Sequence, residues 1–251
     1  MKKMMALLLA MMFCLTLTGT VSAESAKIIT MGTNASFAPF EYIGDDGKPT
    51  GFDIAIAKEI AKDMGAELVV EDMAFDGLLA AMSVGKIDFV IAAMTITDER
   101  KQQAAFSDAY YQDTQKVIVK KGYEGIKSIE DLKDKAIAVQ DGTTGFLMAS
   151  DELGIPASKL ASFKSSPDTV MELMAGRVDC ILIDNGPAQF FVSQNEEITI
   201  LDGLEMPVEE YGIAVELENK ELLASINATL KRIMEDGTYE ALVNEYFAAT
   251  K

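Results

Sequence analysis

Three groups of residues have the types and settings to do recognition chemistry. Arg100 closes the run Met94-Thr95-Ile96-Thr97-Asp98-Glu99-Arg100; a guanidinium is a planar fork that meets a carboxylate in two parallel hydrogen bonds, unless it is a solvated helix residue paired with Asp98. Asp184 follows the apolar run Asp179-Cys180-Ile181-Leu182-Ile183. A bare carboxylate at the end of such a strand needs a partner, or else caps the helix that starts after Asn185. Gly142-Thr143-Thr144-Gly145 leads into a helix, where free backbone N–H groups favour a carboxylate or merely start the helix. The chain contains no His, which removes Ser/His/Asp and Cys/His triads and histidine zinc sites. Cys180, inside the apolar run, reads as a small buried hydrophobe rather than a nucleophile.

The elements that must position these residues alternate in type. Lys27 to Met31 is a short strand, Ile56, Ile60 and Met64 recur at helical spacing until Gly65, and Glu67 to Glu71 is a second strand. Asp76 can cap a helix carrying Leu78, Leu79 and Met82, which Gly85 ends before a strand from Asp88 to Ala92. This is βαβαβ order. A second round has strands at Lys116 to Lys120, Ala136 to Gln140 and from Asp179, a capping-box pattern at Ser128-Ile129-Glu130-Asp131, and a helix opened by Ser166-Pro167. Helices from Asn219 to Asp236 and from Thr238 to Phe247 complete the chain. Val84-Gly85-Lys86-Ile87-Asp88-Phe89-Val90-Ile91 matches Ala175-Gly176-Arg177-Val178-Asp179-Cys180-Ile181-Leu182 in type at each position. Two α/β lobes of similar design are implied, with ligand expected beyond the carboxyl ends of their strands.

Gly32-Thr33-Asn34-Ala35-Ser36-Phe37-Ala38-Pro39-Phe40-Glu41-Tyr42 with Gly51-Phe52-Asp53-Ile54, the run ending at Arg100, and Gly142-Thr143-Thr144 with Gly176-Arg177-Val178-Asp179 and Asp184 occur in that order. In order and spacing the chain resembles the periplasmic amino-acid-binding proteins of ABC importers, bacterial extracellular solute-binding family 3, from Lys27 to Phe247. The resemblance implies a type II two-lobed α/β fold, each lobe a central β-sheet flanked by helices, with the ligand in the cleft between lobes. It implies that Arg100 holds the α-carboxylate of an L-amino acid, helped by the Thr95 hydroxyl, the Ala93 carbonyl and donors at Thr143 and Thr144. It implies that Asp184 holds the ammonium and that Phe37 and Phe75 sandwich the side chain. Asn34 and Gln140 stand where several relatives carry Asp and Lys. Amide ends suit a polar, uncharged side chain such as glutamine, while the acidity of the chain and Glu41 leave a basic one open.

Residues 1–23 read as a cleavable secretory signal: Lys2 and Lys3 precede the apolar stretch Met4 to Leu17, and Val21-Ser22-Ala23 supplies a cleavage site. The apolar stretch is about 14 residues, short of the ~20 of a spanning helix. Cys14 lies within it and lacks a lipidation context, and cleavage leaves Cys180 alone. Lobe one is expected from 24–109 with 212–251, lobe two from 115–206, and two hinge crossings at 110–114 and 207–211. With 40 acidic against 22 basic residues and a net charge of −18, nucleic acid and anionic membrane are excluded as partners. The expected protein is an exported, monomeric receptor, periplasmic or extracytoplasmic, without cofactor or metal, delivering its ligand to a membrane permease. A dehydratase acting on cyclohexadienyl acids, or a sensor lobe for a membrane kinase, would share the scaffold. The former needs a general acid aimed at the ligand, and no second carboxylate beside Asp184 is assigned to the pocket.

Overall fold

Strand β1 (Lys27–Thr33) buries Ile29 and Met31 on the lobe-one core and runs into a hairpin of β2 (Ser36–Phe37), β3 (Glu41–Ile43) and β4 (Pro49–Thr50). These lie within residues 27–248, the part of the chain that the computed structural model describes; the expected signal segment 1–23 and Cys14 fall outside it. Helix α1 (Phe52–Asp63) buries Phe52, Ile56, Ile60 and Ala61. Its approach to the hairpin requires Gly51, whose φ is 126° and where a Cβ would stand 2.2 Å from the Phe40 carbonyl oxygen. β5 (Ala66–Asp72), α2 (Leu78–Ser83), β6 (Phe89–Val90) and β7 (Ala105–Phe106) follow. Asp76 does not cap α2. It lies in a 3₁₀ turn, Phe75–Gly77, and pairs with Lys164 at 2.5 Å.

Strand β8 (Tyr111–Lys120) is ten residues long, twice the run legible as Lys116 to Lys120. The Ser128 capping box forms, but on a 3₁₀ helix, Ile129–Asp134. Then come β9 (Ile137–Gln140), a short α3 (Thr144–Leu147) that continues as a π turn over Met148–Glu152, β10 (Leu160–Phe163), α4 (Ser166–Met174), β11 (Cys180–Asp184), α5 (Asn185–Gln194) and β12 (Ile198–Ile200). β13 (Val208–Tyr211), β14 (Ala214–Val215), α6 (Lys220–Glu235) and α7 (Thr238–Phe247) end the described chain.

The strands form two principal sheets, ordered β5-β1-β6-β14-β7 and β10-β9-β11-β8-β12. β14 enters the first antiparallel to β6 and β7, so the last segment of the chain returns to the lobe begun by the first. The first half of β8 pairs antiparallel with β13, Tyr111 opposite Tyr211 and Thr114 opposite Val208, which makes the two connections between lobes a ladder. Phe40, Phe52, Tyr111, Tyr211 and Phe247 pack around it, with the Tyr111 and Phe247 rings stacked at 5.2 Å and Phe40 edge-on to Tyr111 at 4.9 Å. Cys180 is fully buried, and burial pushes its thiol up to about 12, which leaves it inert. The carboxyl ends of β1, β6, β9 and β11 all open on the space between the lobes.

Candidate functional site

That space holds a small pocket lined from both lobes. The ten residues singled out in the sequence all line it. From lobe one come Asn34, Phe37, Phe75, Ala93, Thr95 and Arg100, and from lobe two Gln140, Thr143, Thr144 and Asp184; Glu41 and Ala92 join them.

Arg100 begins a 3₁₀ turn after β6 and is 7% exposed. It does not pair with Asp98, which lies 3.6 Å from Lys101 instead. Its Nη1 donates to the Thr95 carbonyl at 2.8 Å, its Nη2 to the Gly142 carbonyl of the opposite lobe at 3.0 Å, and its Cζ lies 5.3 Å from the centre of the Phe75 ring. Among the described residues this guanidinium has no salt-bridged carboxylate, so an anion arriving in the cavity meets a preplaced, desolvated fork.

Asp184 occupies the N-cap position of α5 without capping it. Its two oxygens accept from the Tyr211 hydroxyl and the Gln115 amide. Burial, with Glu209 and Asp113 nearby, pushes this carboxyl well above the usual range. An ammonium placed here would reverse that penalty. The four acidic side chains Asp184, Asp113, Glu209 and Glu41 make this the electronegative end of a site whose one lining cation is Arg100.

The threonines are engaged in ways the sequence did not suggest. Thr95 and Thr144 both donate to Glu209 Oε2, at 2.5 and 2.8 Å, and Gln115 donates to Oε1 at 3.1 Å. A hydroxyl carries one proton, so as placed these two can accept from a ligand but not donate to it. Thr143 donates to the Gln140 carbonyl and accepts from the Phe146 amide, which makes it the cap of α3. Ala93 is held at φ 46° in the left-handed region, a conformation that costs about 1 kcal/mol or more for a residue with a Cβ, and its N–H donates to Asp53 Oδ2 at 2.8 Å.

Asn34 and Gln140 bond to each other across the cleft, Gln140 Nε2 donating to Asn34 Oδ1 at 2.8 Å. Asn34 also accepts from Ser36 and donates to the Met73 carbonyl, and Gln140 also accepts from Ser166. Their amides therefore join the lobes, with one Asn34 N–H and one Gln140 lone pair left over. Phe75 lies against Arg100, and Phe37 packs tilted against Phe40 with centroids 6.3 Å apart.

Asp53, Gln115, Glu209 and Tyr211 are site residues that sequence reasoning left unassigned, and Glu41 was named only as leaving a basic ligand open. Glu41 and Asp53 are buried carboxyls on β3 and α1, and Gln115 is a buried amide inside β8. A polar residue on an otherwise buried strand face was the available signal for Gln115, and Glu209 and Tyr211 stood in a segment marked only as a crossing. Lys164 of lobe two joins the lobes, lying 2.5 Å from Asp76 of lobe one and 3.1 Å from Asp141.

Known proteins share this architecture over nearly the whole chain. Residues 29–249 match the family described as bacterial extracellular solute-binding proteins, family 3. The arginine-binding extracellular protein ArtP of Bacillus subtilis (strain 168) is 34% identical over 100% of both chains. The L-cystine-binding protein TcyJ of Escherichia coli (strain K12) is 33% identical over 88% of this chain and 83% of its own. Among solved structures, an ancestral arginine-binding protein bound to arginine superposes with a TM-score of 0.82 at 41% identity, covering 88% of this chain and 98% of that one.

Proposed function

Because the chain belongs to the bacterial extracellular solute-binding proteins, family 3, we propose that it is a carrier for an L-amino acid with a cationic side chain, arginine foremost, which it encloses between its lobes and hands to an ABC permease. The observation that carries the cationic reading is Glu41: a carboxyl 1% exposed, lining the cavity, with no basic side chain against it among the described residues. Of the cavity's charged lining residues, Arg100 answers the ligand carboxylate and Asp184 the ammonium. Glu41 is then the surplus negative charge, and a guanidinium or ammonium would compensate it. The glutamine reading depended on free amides, and Asn34 and Gln140 use most of their hydrogen-bonding capacity on each other and on Ser36, Ser166 and the Met73 carbonyl. Relatives named for arginine agree with this assignment; the relative named for cystine marks the range the scaffold accommodates.

Under this reading the protein works as an exported monomer, released by cleavage after residue 23, and closes by rotation of 115–206 against the rest about the paired crossings 110–114 and 207–211. It needs no cofactor or metal and performs no chemistry. Calorimetric titration with arginine, lysine, histidine, glutamine, cystine and leucine tests the specificity. Arginine or lysine should bind at least tenfold more tightly than glutamine; glutamine or cystine binding more tightly than every cationic amino acid would overturn it.

One observation favours a second reading. Glu41 is a second pocket carboxyl beside Asp184, contrary to the expectation from sequence, and a protonated carboxyl there is a general acid of the kind that dehydration of a cyclohexadienyl acid requires. Incubation with prephenate, followed by ultraviolet absorbance, separates the two: an aromatic product would make the protein an enzyme.

A further inference from the structure

Glu41, on β3, and Asp53, in the first turn of α1, are 1% and 0% exposed, and the Asp53 N–H, donating at 2.9 Å to the carbonyl of Phe40 next to Glu41, brings the two carboxyls side by side. Asp53 Oδ2 is already engaged, accepting from the Ala93 amide and the Tyr110 hydroxyl, each at 2.8 Å. Among the described residues no N–H or hydroxyl reaches Asp53 Oδ1 or Glu41 Oε2. Two ionised carboxylates offer only acceptors, so neither can satisfy the other's unpartnered oxygen unless one of them carries a proton. We propose that Glu41 and Asp53 share one proton while the cavity is free of ligand and lose it to solvent when a cationic side chain reaches Glu41, so that Asp53 is the positioning residue that sets the charge Glu41 presents.

This deepens the cationic reading given above and rests on it. The groups facing the pair agree with a held proton. Asp72 on β5 and Asp184 on β11 set negative charge against Glu41, the Tyr110 and Tyr239 hydroxyls face Asp53, and Arg100, the cation lining the cavity, has Asp184 and Glu209 beside it. Burial first, then these like charges, push Glu41 well above the ordinary carboxylate range, and burial raises Asp53 to about 6. The exchange balances: one monocation enters and one proton leaves. A ligand with a neutral side chain leaves the proton in place. Affinity for a cationic ligand therefore rises with pH, by up to about tenfold per unit, through the range in which the free pair holds its proton, and levels off above it. Affinity for a ligand with a neutral side chain climbs less steeply, through Asp184 alone, whose raised carboxyl meets the ammonium of either ligand.

Arginine binding measured by calorimetry at pH 6.5 in phosphate and in a buffer of high ionisation enthalpy counts the protons released. At least about one per arginine is expected, the pair's proton together with what Asp184 gives up to the ligand ammonium, with an affinity that climbs between pH 5.5 and 7.5. Asp53→Asn preserves an acceptor for Ala93 and Tyr110 and turns an amide N–H toward Glu41, which is then ionised before ligand arrives. It should release about one proton fewer per arginine than the parent, with a shallower pH slope, whereas a purely structural role for Asp53 would lower stability and leave the proton count unchanged. Glu41→Gln, which can donate to Asp53, serves if Asp53→Asn does not fold; it should weaken arginine at least tenfold and likewise release about one proton fewer. Arginine bound by the unaltered protein with less than about one-fifth of a proton released overturns the inference and leaves the ligand assignment standing. If arginine does not bind, the ligand assignment fails by itself, and the shared proton is decided on the ligand-free protein. The protonated-carboxyl infrared band should lose intensity in both variants, and a band of unchanged intensity in both refutes it.

Discussion

Arg100 and Asp184 carry opposite charges on opposite lobes, and among the described residues neither meets an oppositely charged side chain at ion-pair distance. Each is thus a buried charge awaiting its partner, and truncation of either leaves the matching ligand charge buried and unpaired. Arg100→Ala and Asp184→Ala should each cost ~3–5 kcal/mol of binding, about two to three and a half decades in Kd. Calorimetry showing a loss of tenfold or less would take that residue out of the clamp. The same logic sets a cost on the empty site. Because burial, Glu209 and Asp113 disfavour the charged form of Asp184, the neutral Asp184→Asn should melt at a higher temperature than the parent protein at pH 8 without ligand, while failing to bind. A lower melting temperature would mean that the hydrogen bonds from Tyr211 and Gln115 outweigh the desolvation of the carboxylate.

Closure depends on how near the β9–α3 connection comes to lobe one. Gly142 has φ +74°, and a Cβ there would lie 2.9 Å from Asp76 Cβ and 3.1 Å from Asp76 Cα. The neighbour is backbone on another element and cannot swing aside. Gly142→Ala should therefore weaken ligand binding at least tenfold by opposing closure, with a fold penalty of only ~1 kcal/mol from the strained φ. Titration and a melting curve on the same sample separate the two effects, and unchanged affinity would show that the close approach does not limit closure. Lys164 also joins the lobes at Asp76, but its side chain is 60% exposed. Lys164→Ala should move Kd by no more than about threefold, in keeping with solvent-screened pairs.

For the molecule as a whole, the ladder of β8 with β13 is the hinge in the proposed reading, and a small ligand gripped from both lobes would favour the closed arrangement about it. Small-angle scattering should show a smaller radius of gyration on saturation with arginine; identical profiles with and without bound ligand would contradict rotation. Stability should depend on pH in an unusual direction. Glu41, Asp53, Asp113 and Asp184 all have folded-state pKa values raised by burial, so their contribution is full below the ordinary carboxylate range and is lost as pH rises through the raised values, about 6 for Asp53. Glu59 and Asp63, depressed by the Arg232 guanidinium, and Asp236, depressed first by hydrogen bonds from Thr238 and then by Arg232, work the other way, losing their contribution as the solution becomes strongly acid. Self-repulsion at a net charge of −18 adds to the first trend. The ligand-free protein should be most stable in mild acid, at about pH 5 to 6, and a melting temperature that climbs steadily from pH 5 to pH 8 would refute this.

The amino-acid sequence by itself determined the alternation of strands and helices and the two-lobed plan, which depend on local features: apolar periodicity and Gly stops such as Gly65 and Gly85. It marked Arg100 and Asp184 as charges in need of partners, while most of the other cavity-lining residues were named through the family resemblance of their motifs. Only the tertiary structure decided what those residues touch. β8 extends back to Tyr111 because β13, nearly a hundred residues later, supplies its ladder. The hydroxyls of Thr95 and Thr144 turn to Glu209, and Asn34 meets Gln140 across 106 positions of chain. Glu41 read only as leaving a basic ligand open and Asp53 as part of a structural helix start, and they became a proton-sharing pair in our reading because packing buried them together with no donor for Glu41 Oε2 or Asp53 Oδ1 among the described residues. Hydrogen-bond partners and desolvation are set by segments brought together from distant parts of the chain, and no local pattern of residues encodes them.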